Sequence, residues 1–127
     1  MKSSNVILDS SCWIEYFLGS PFASPYAEHV TASTVLVPTI ILFEVSRKLL
    51  QSYPTKDVLS ALSLMKQQRV LPLTEAVALD AAQLAEDLSL SSADAILCAI
   101  ATSKQATLFT HDVDLKGLHR VEFLPKT

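Results

Sequence analysis

Cysteine and glycine are almost absent from this 127-residue chain, which has two of each. Cys12 and Cys98 are too few for a disulfide framework and lack the spacing of a zinc site, so both read as small core residues in a reducing compartment. No apolar run approaches the roughly 18 residues that a membrane span needs. Met1-Lys2-Ser3-Ser4-Asn5 followed by three apolar residues does not read as a secretory leader, so a cytoplasmic protein is expected, with no membrane partner. An excess of positive charge is also missing: the formal charge of −3 argues against nonspecific nucleic-acid binding by the bare protein. What the chain has in quantity is apolar residues, 50% of the total, with a mean hydropathy of +0.34. For a small chain without a membrane span, this implies apolar surface covered by a partner, either a second copy or another protein.

Length and continuity indicate one domain over residues 1–127, with no internal repeat, low-complexity tract or linker. Short aliphatic runs without alternation read as strands buried on both faces: Val6 to Leu8, Val35 to Pro38, Val70 to Leu73, Thr107 to Thr110 and Val121 to Leu124. Helical patterns separate them. Ser10 or Ser11 is placed to cap a first helix beginning near Cys12 and stopping near Gly19-Ser20-Pro21. Thr39 is placed to cap a second, through Ile40, Ile41, Val45 and Leu49 to Ser52-Tyr53-Pro54. Thr55 to Gln68 forms another helix, and Thr74 and Ser91 open the last two. Apolar strands alternating with helices predict a three-layer α/β/α domain around a parallel sheet of about five strands. In such sheets ligands lie beyond the carboxyl ends of the strands, where the strand order reverses.

Acids sit where that rule points. Asp9 follows the first strand, and Asp112 and Asp114 follow the fourth in Thr110-His111-Asp112-Val113-Asp114. Glu44 and Asp94 lie in the first or second turns of apolar helices. Each has an ordinary structural use. Asp94 lies three residues after Ser91, as in a capping box; Glu44 has Lys48 one turn on; Asp9, Asp112 and Asp114 are able to cap the segments that follow them. Together these uses explain less, because gathered carboxylates repel and raise one another's pKa, a difficulty that a bound cation removes. An all-oxygen cluster selects a hard ion, Mg²⁺ or Mn²⁺, and such ions orient a phosphate and activate water for phosphodiester hydrolysis. Two divalent ions would turn the charge from −3 to +1, so the acidity of the chain does not oppose a nucleic-acid substrate. Arg47, Lys48 and Lys116 are the basic residues nearest the acids in sequence, placed either for phosphate contact or as ordinary solvated charges. His111 reads as structural, and Trp13, Ile14, Tyr16 and Phe17 as core or dimer surface.

"VILDSSCWIEYF" at the start, Glu44 after the second strand, "SSADAILCAIA" from Ser91 to Ala101 and "LFTHDVDL" from Leu108 to Leu115 together resemble the PIN-domain family. Within that family the chain looks like the VapC-type toxins of prokaryotic toxin–antitoxin pairs, and the resemblance spans essentially the whole sequence. It implies a sheet of order 3-2-1-4-5 and a metal-dependent ribonuclease. Asp9, Glu44, Asp94 and Asp112 match the family's catalytic, metal-binding acids, Ser11 and Thr110 its supporting polar positions, and Asp114 a further acid of variable role. Phe43 and Leu115 depart from the usual pattern, Phe43 before the glutamate and Leu115 after the last acid. The resemblance further implies a homodimer and a cognate antitoxin, with RNA as substrate. A PIN domain acting in RNA processing, or a catalytically weak one serving as a binding scaffold, would share these features. An aspartyl phosphatase of the haloacid-dehalogenase type also places an aspartate after its first strand, but it wants a second one where Ser11 stands.

Overall fold

Five strands of three or four residues carry the fold in the computed structural model, which describes residues 5–32 and 34–126. The stretch Met1–Ser4, read above as part of no secretory leader, lies outside the described residues. The strands are β1 (Val6–Leu8), β2 (Val35–Pro38), β3 (Arg69–Leu71), β4 (Thr107–Thr110) and β5 (Val121–Phe123). They form one parallel sheet in the order β3-β2-β1-β4-β5, the order that the family resemblance implied. β1 occupies the centre, with Val6 opposite Val35 on one side and Thr107 on the other. Every residue of β1 and β2 is buried. Because successive side chains point to opposite faces, both faces of the sheet are covered, as three layers require.

The helices are α1 (Ser10–Phe17), α2 (Ala27–Thr31), α3 (Thr39–Leu50), α4 (Thr55–Lys66), α5 (Glu75–Leu88) and α6 (Ser92–Lys104). Thr74 and Ser91 cap α5 and α6 as the sequence predicts, accepting hydrogen bonds from the backbone N–H groups of Val77 and Asp94. Other boundaries move. α1 starts at Ser10 because Asp9, and neither serine, is its cap: Asp9 Oδ1 accepts the Ser10 N–H at 2.8 Å. Thr39 is the first residue of α3, whose cap position is Pro38 without a side-chain bond. β3 spans Arg69–Leu71 and stops before Pro72, which has no N–H for the ladder. The helix before it ends at Lys66, freeing buried Gln68 to accept the Val35 N–H and donate to the Val30 carbonyl. A 3-10 turn at Pro21–Ala23 and the five-residue α2 fill a stretch where no periodicity predicts an element.

The core is one cluster around the sheet, with Trp13, Tyr26, Ile7, Leu8, Ile41, Met65, Leu97 and Leu108 fully buried. Trp13 stacks on Phe17 at 5.6 Å between ring centres and meets Tyr16 edge-on, so the aromatic stripe of α1 is centred on the core. Cys12 and Cys98 are buried and unpaired, and burial pushes their thiols up to about 12 and about 11, which removes them as nucleophiles at neutral pH. Among the described residues no helix is long and apolar enough to cross a membrane.

Candidate active site

The chain runs from β1 to its neighbour β2 and then β3 on one side, before crossing back to β4 and β5 on the other. The order therefore reverses between β1 and β4, and the residues just beyond these two strands face the crevice where ligands of such sheets lie. Asp9 is there, 7% exposed, and so is fully buried Thr110. The Thr110 hydroxyl donates to Asp9 Oδ2 at 2.7 Å and accepts the Asp112 N–H at 2.9 Å. One hydroxyl thus ties the acid after β1 to the acid after β4. Asp112 Oδ1 in turn accepts the Asp114 N–H at 2.9 Å, shaping the 3-10 turn Val113–Leu115, which fully buried Leu115 pins to the core.

Two more acids arrive from helices. Glu44 sits in the second turn of α3 and Asp94 in the first turn of α6, both half-buried. Asp9, Glu44, Asp94, Asp112, Asp114 and Ser11 all line one cleft of about 720 Å³, together with His111, Lys126 and the Leu88–Ser91 connection. Thr110 lies behind this wall and acts on it through Asp9 and Asp112. The Ser11 Oγ is buried and has no hydrogen-bond partner among the described residues.

The electrostatics are those of crowded carboxylates. Burial raises the pKa of Asp9, and Asp112 raises it further, against the lowering effect of the bonds from Thr110 and Ser10. Burial also raises Glu44, with Asp9 and Asp94 adding to the rise. Asp94 is raised by burial and then by Asp112, Asp9 and Asp114. The acids therefore resist simultaneous ionisation. Among the described residues no three His, Cys, Asp or Glu side chains are already gathered closely enough to hold one metal ion. The donor chemistry nevertheless fits a hard cation. Carboxylate and hydroxyl oxygens dominate the cleft's polar groups, no thiol lines it, and the one imidazole is tied up elsewhere.

Several sequence expectations change here. The Glu44–Lys48 pair does not form; the one ion pair among the described residues joins Lys126 to Glu15. Arg47, Lys48 and Lys116 do not line the cleft: Arg47 borders a separate groove with Leu42 and Leu50, and the Lys116 Nζ lies over the Phe123 ring. Phe43 is exposed and lines that other groove. His111 is structural, but with a definite task. Its Nδ1 lies 2.7 Å from the Leu124 carbonyl, which only accepts, so Nδ1 carries a proton, and its Nε2 shares a hydrogen bond of 2.8 Å with the Tyr26 hydroxyl. Tyr26 and Lys126 were not found by sequence reasoning. No periodicity marks the short segment around Tyr26, and Lys126 lies 111 residues from Glu15.

Fold and cleft together define a parallel α/β domain with an acidic site at the switch point of its sheet. The chain belongs to the PIN-domain family, whose model matches residues 6–123. This membership sets aside the aspartyl-phosphatase reading. No curated protein sequence matches the chain. Among solved structures it is similar to a toxin–antitoxin complex from Klebsiella pneumoniae, at 21% identity and a TM-score of 0.78 over 93% of this chain and 96% of that one. It is also similar to VapBC2 from Rickettsia felis bound to a DNA fragment from its promoter, at 15% identity and a TM-score of 0.75 over 94% and 98%. A third is VapBC-5 of the VapBC toxin–antitoxin family from Mycobacterium tuberculosis, at 22% identity and a TM-score of 0.65 over 98% and 100%.

Proposed function

We propose that this protein is a Mg²⁺- or Mn²⁺-dependent endoribonuclease, the toxin of a toxin–antitoxin pair. The observation that carries the reading is the convergence of Asp9, Glu44, Asp94 and Asp112 on one cleft at the sheet's switch point, where burial and then neighbouring carboxylates raise the proton affinity of Asp9, Glu44 and Asp94. Those four carboxylates would hold the cation, which when bound neutralises the phosphodiester's charge and the departing oxygen. The chain's own residues do the rest. Thr110 fixes the orientation of Asp9 and favours its ionised form, while the Ser10 N–H engages the other oxygen. Glu44 and Asp94, half-buried on α3 and α6, bring their carboxylates from the helices to the cleft that the strand-end acids Asp9 and Asp112 also line. Ser11 lines the wall with a buried Oγ that has no partner among the described residues, and Asp114 is an exposed acid at the rim.

The toxin role and an antitoxin partner are supported by the toxin–antitoxin complexes among the structural neighbours. A homodimer and an antitoxin both offer cover for exposed Leu18, Phe43, Leu50, Tyr53 and Leu59. The test is cleavage of a mixed RNA pool by the purified protein. We expect cleavage in Mg²⁺ or Mn²⁺, none in EDTA, and a loss of roughly 10²-fold or more in Asp94→Asn with an unchanged circular dichroism spectrum. Cleavage that persists in EDTA would refute the proposal.

A further inference from the structure

We infer that Lys126 is a phosphate-contact residue of the cleft, holding an RNA phosphate that flanks the acids; this rests on the nuclease reading above. Among the described residues lining the cleft it is the one lysine or arginine, set against five carboxylates. A polyanion entering such a cleft meets charge of its own sign. A cation held by the acids offsets this only where it sits, and a neighbouring phosphate needs a positive group of its own.

The segment carrying Lys126 is fastened to the site. After β5 the Leu124 N–H donates to the Thr110 carbonyl at 2.8 Å, and the Leu124 carbonyl accepts from His111 Nδ1 at 2.7 Å. Thr110 and His111 are the two residues immediately before Asp112, so the backbone that leads to Lys126 is registered against the acids. Two residues on, the Lys126 Nζ lies 3.0 Å from Glu15 Oε2 on α1, the helix that Asp9 caps. The Lys126 side chain is 39% exposed and that of Glu15 15%, so the pair is open to solvent on the lysine side and only modestly strong. Glu15 therefore parks the ammonium at the cleft without consuming it, because Nζ has three donors and one carboxylate oxygen takes one of them. Of the basic residues that the sequence singled out, Lys116 lies over an aromatic ring and Arg47 borders a different groove.

The experiment measures binding of a labelled pool of 20-nucleotide RNA by fluorescence anisotropy across a salt series, with Ca²⁺ replacing Mg²⁺ to suppress cleavage, and steady-state cleavage of the same pool in Mg²⁺. Lys126→Gln should flatten the slope of log Kd against log salt by about 0.7, the share of one phosphate contact on a single strand. It should raise KM about tenfold while kcat changes by less than about twofold. Lys126→Arg should restore both values. Glu15→Gln, which frees the ammonium, should keep the full slope. A wild-type slope and KM in Lys126→Gln overturn the inference. So does an equal flattening in Glu15→Gln and Lys126→Gln, which assigns Lys126 to tethering alone. Absence of cleavage by the unaltered protein overturns the nuclease reading instead, and the slope difference still decides whether Lys126 meets a phosphate.

Discussion

Replacing Thr110 by valine isolates the hydroxyl that joins the two halves of the site. Thr110 is fully buried at the end of β4, and valine keeps its branched shape and nearly its volume, so packing and strand preference persist. What disappears is a bond to an ionised acceptor, Asp9 Oδ2 at 2.7 Å, worth about 1.5–3 kcal/mol. The Asp112 N–H loses its acceptor as well, but Asp112 is only half-buried and water replaces the bond at small cost. The added methyl returns about 0.8 kcal/mol. The net loss is then about 1–2 kcal/mol, a fall of roughly 3–10 °C in melting temperature for a chain of this size. The pH dependence has a definite sign. The Thr110 bond lowers the Asp9 pKa, so its removal lets that pKa rise further, and the destabilisation is greatest where Asp9 would be ionised. Calorimetric melts in EDTA at neutral and mildly acid pH should show the larger loss at neutral pH, with Thr110→Ser retaining the pH behaviour of the unaltered protein. An unchanged midpoint at neutral pH, or the same loss at both, would refute the assignment of Thr110 as the hydroxyl that holds Asp9.

The crowded acids also predict the stability profile of the metal-free protein. Asp9, Glu44 and Asp94 all have raised pKa values, so the folded state retains protons that the unfolded chain has already released at its ordinary 3.8 to 4.5. From the ordinary carboxylate range upward, the contribution of these three acids therefore falls as pH climbs through the raised values, while Glu15, with its lowered pKa, loses its own contribution only at lower pH; urea midpoints in EDTA should trace this fall toward neutral pH, and a flat profile there would contradict it. Mg²⁺ at neutral pH should restore part of the loss by binding the folded state. Tyr26→Phe removes the hydroxyl bonded to His111 Nε2 and should cost about 1 kcal/mol in urea unfolding, since half-buried His111 finds water as a substitute partner. A cost several times larger would mean that Tyr26 holds more of the loop than this one bond.

The sequence disclosed most where one physical requirement dominated locally. β1 and β2 are apolar throughout because both faces of a central parallel strand are buried, and Thr74 and Ser91 are recognisable caps because a hydroxyl reaches the N–H three residues on. It disclosed least where position depends on distant partners. Tyr26 sits in a segment too short for periodicity, and its fixed point, His111, is 85 residues away. Arg47 and Lys48 drew attention by sequence nearness to Glu44, and the Lys126 that lines the cleft depends on β5 pairing with β4 and on the bonds of Leu124. The gathering of the acids is an intermediate case. Each was visible at a strand end or helix start, and the parallel α/β pattern gathered them at one end of the sheet, but the strand order that sets β1 beside β4 came from a family resemblance and not from any spacing.

Asp9 shows why local reading and site reading need not compete. As a cap it uses Oδ1 to receive the Ser10 N–H, and as a member of the acid cluster it presents Oδ2 to Thr110. A carboxylate has about four acceptor directions, and these two bonds leave the others unfilled on a residue that lines the cleft. The helix cap fixes the rotamer, and the fixed rotamer aims the remaining lone pairs. A serine in this place would cap α1 as well but bring no charge to the cleft, and a glutamate would bring the charge with a longer, less constrained side chain. An aspartate after a buried strand is thus the residue that satisfies both demands, and the capping bond is part of how the acid is positioned.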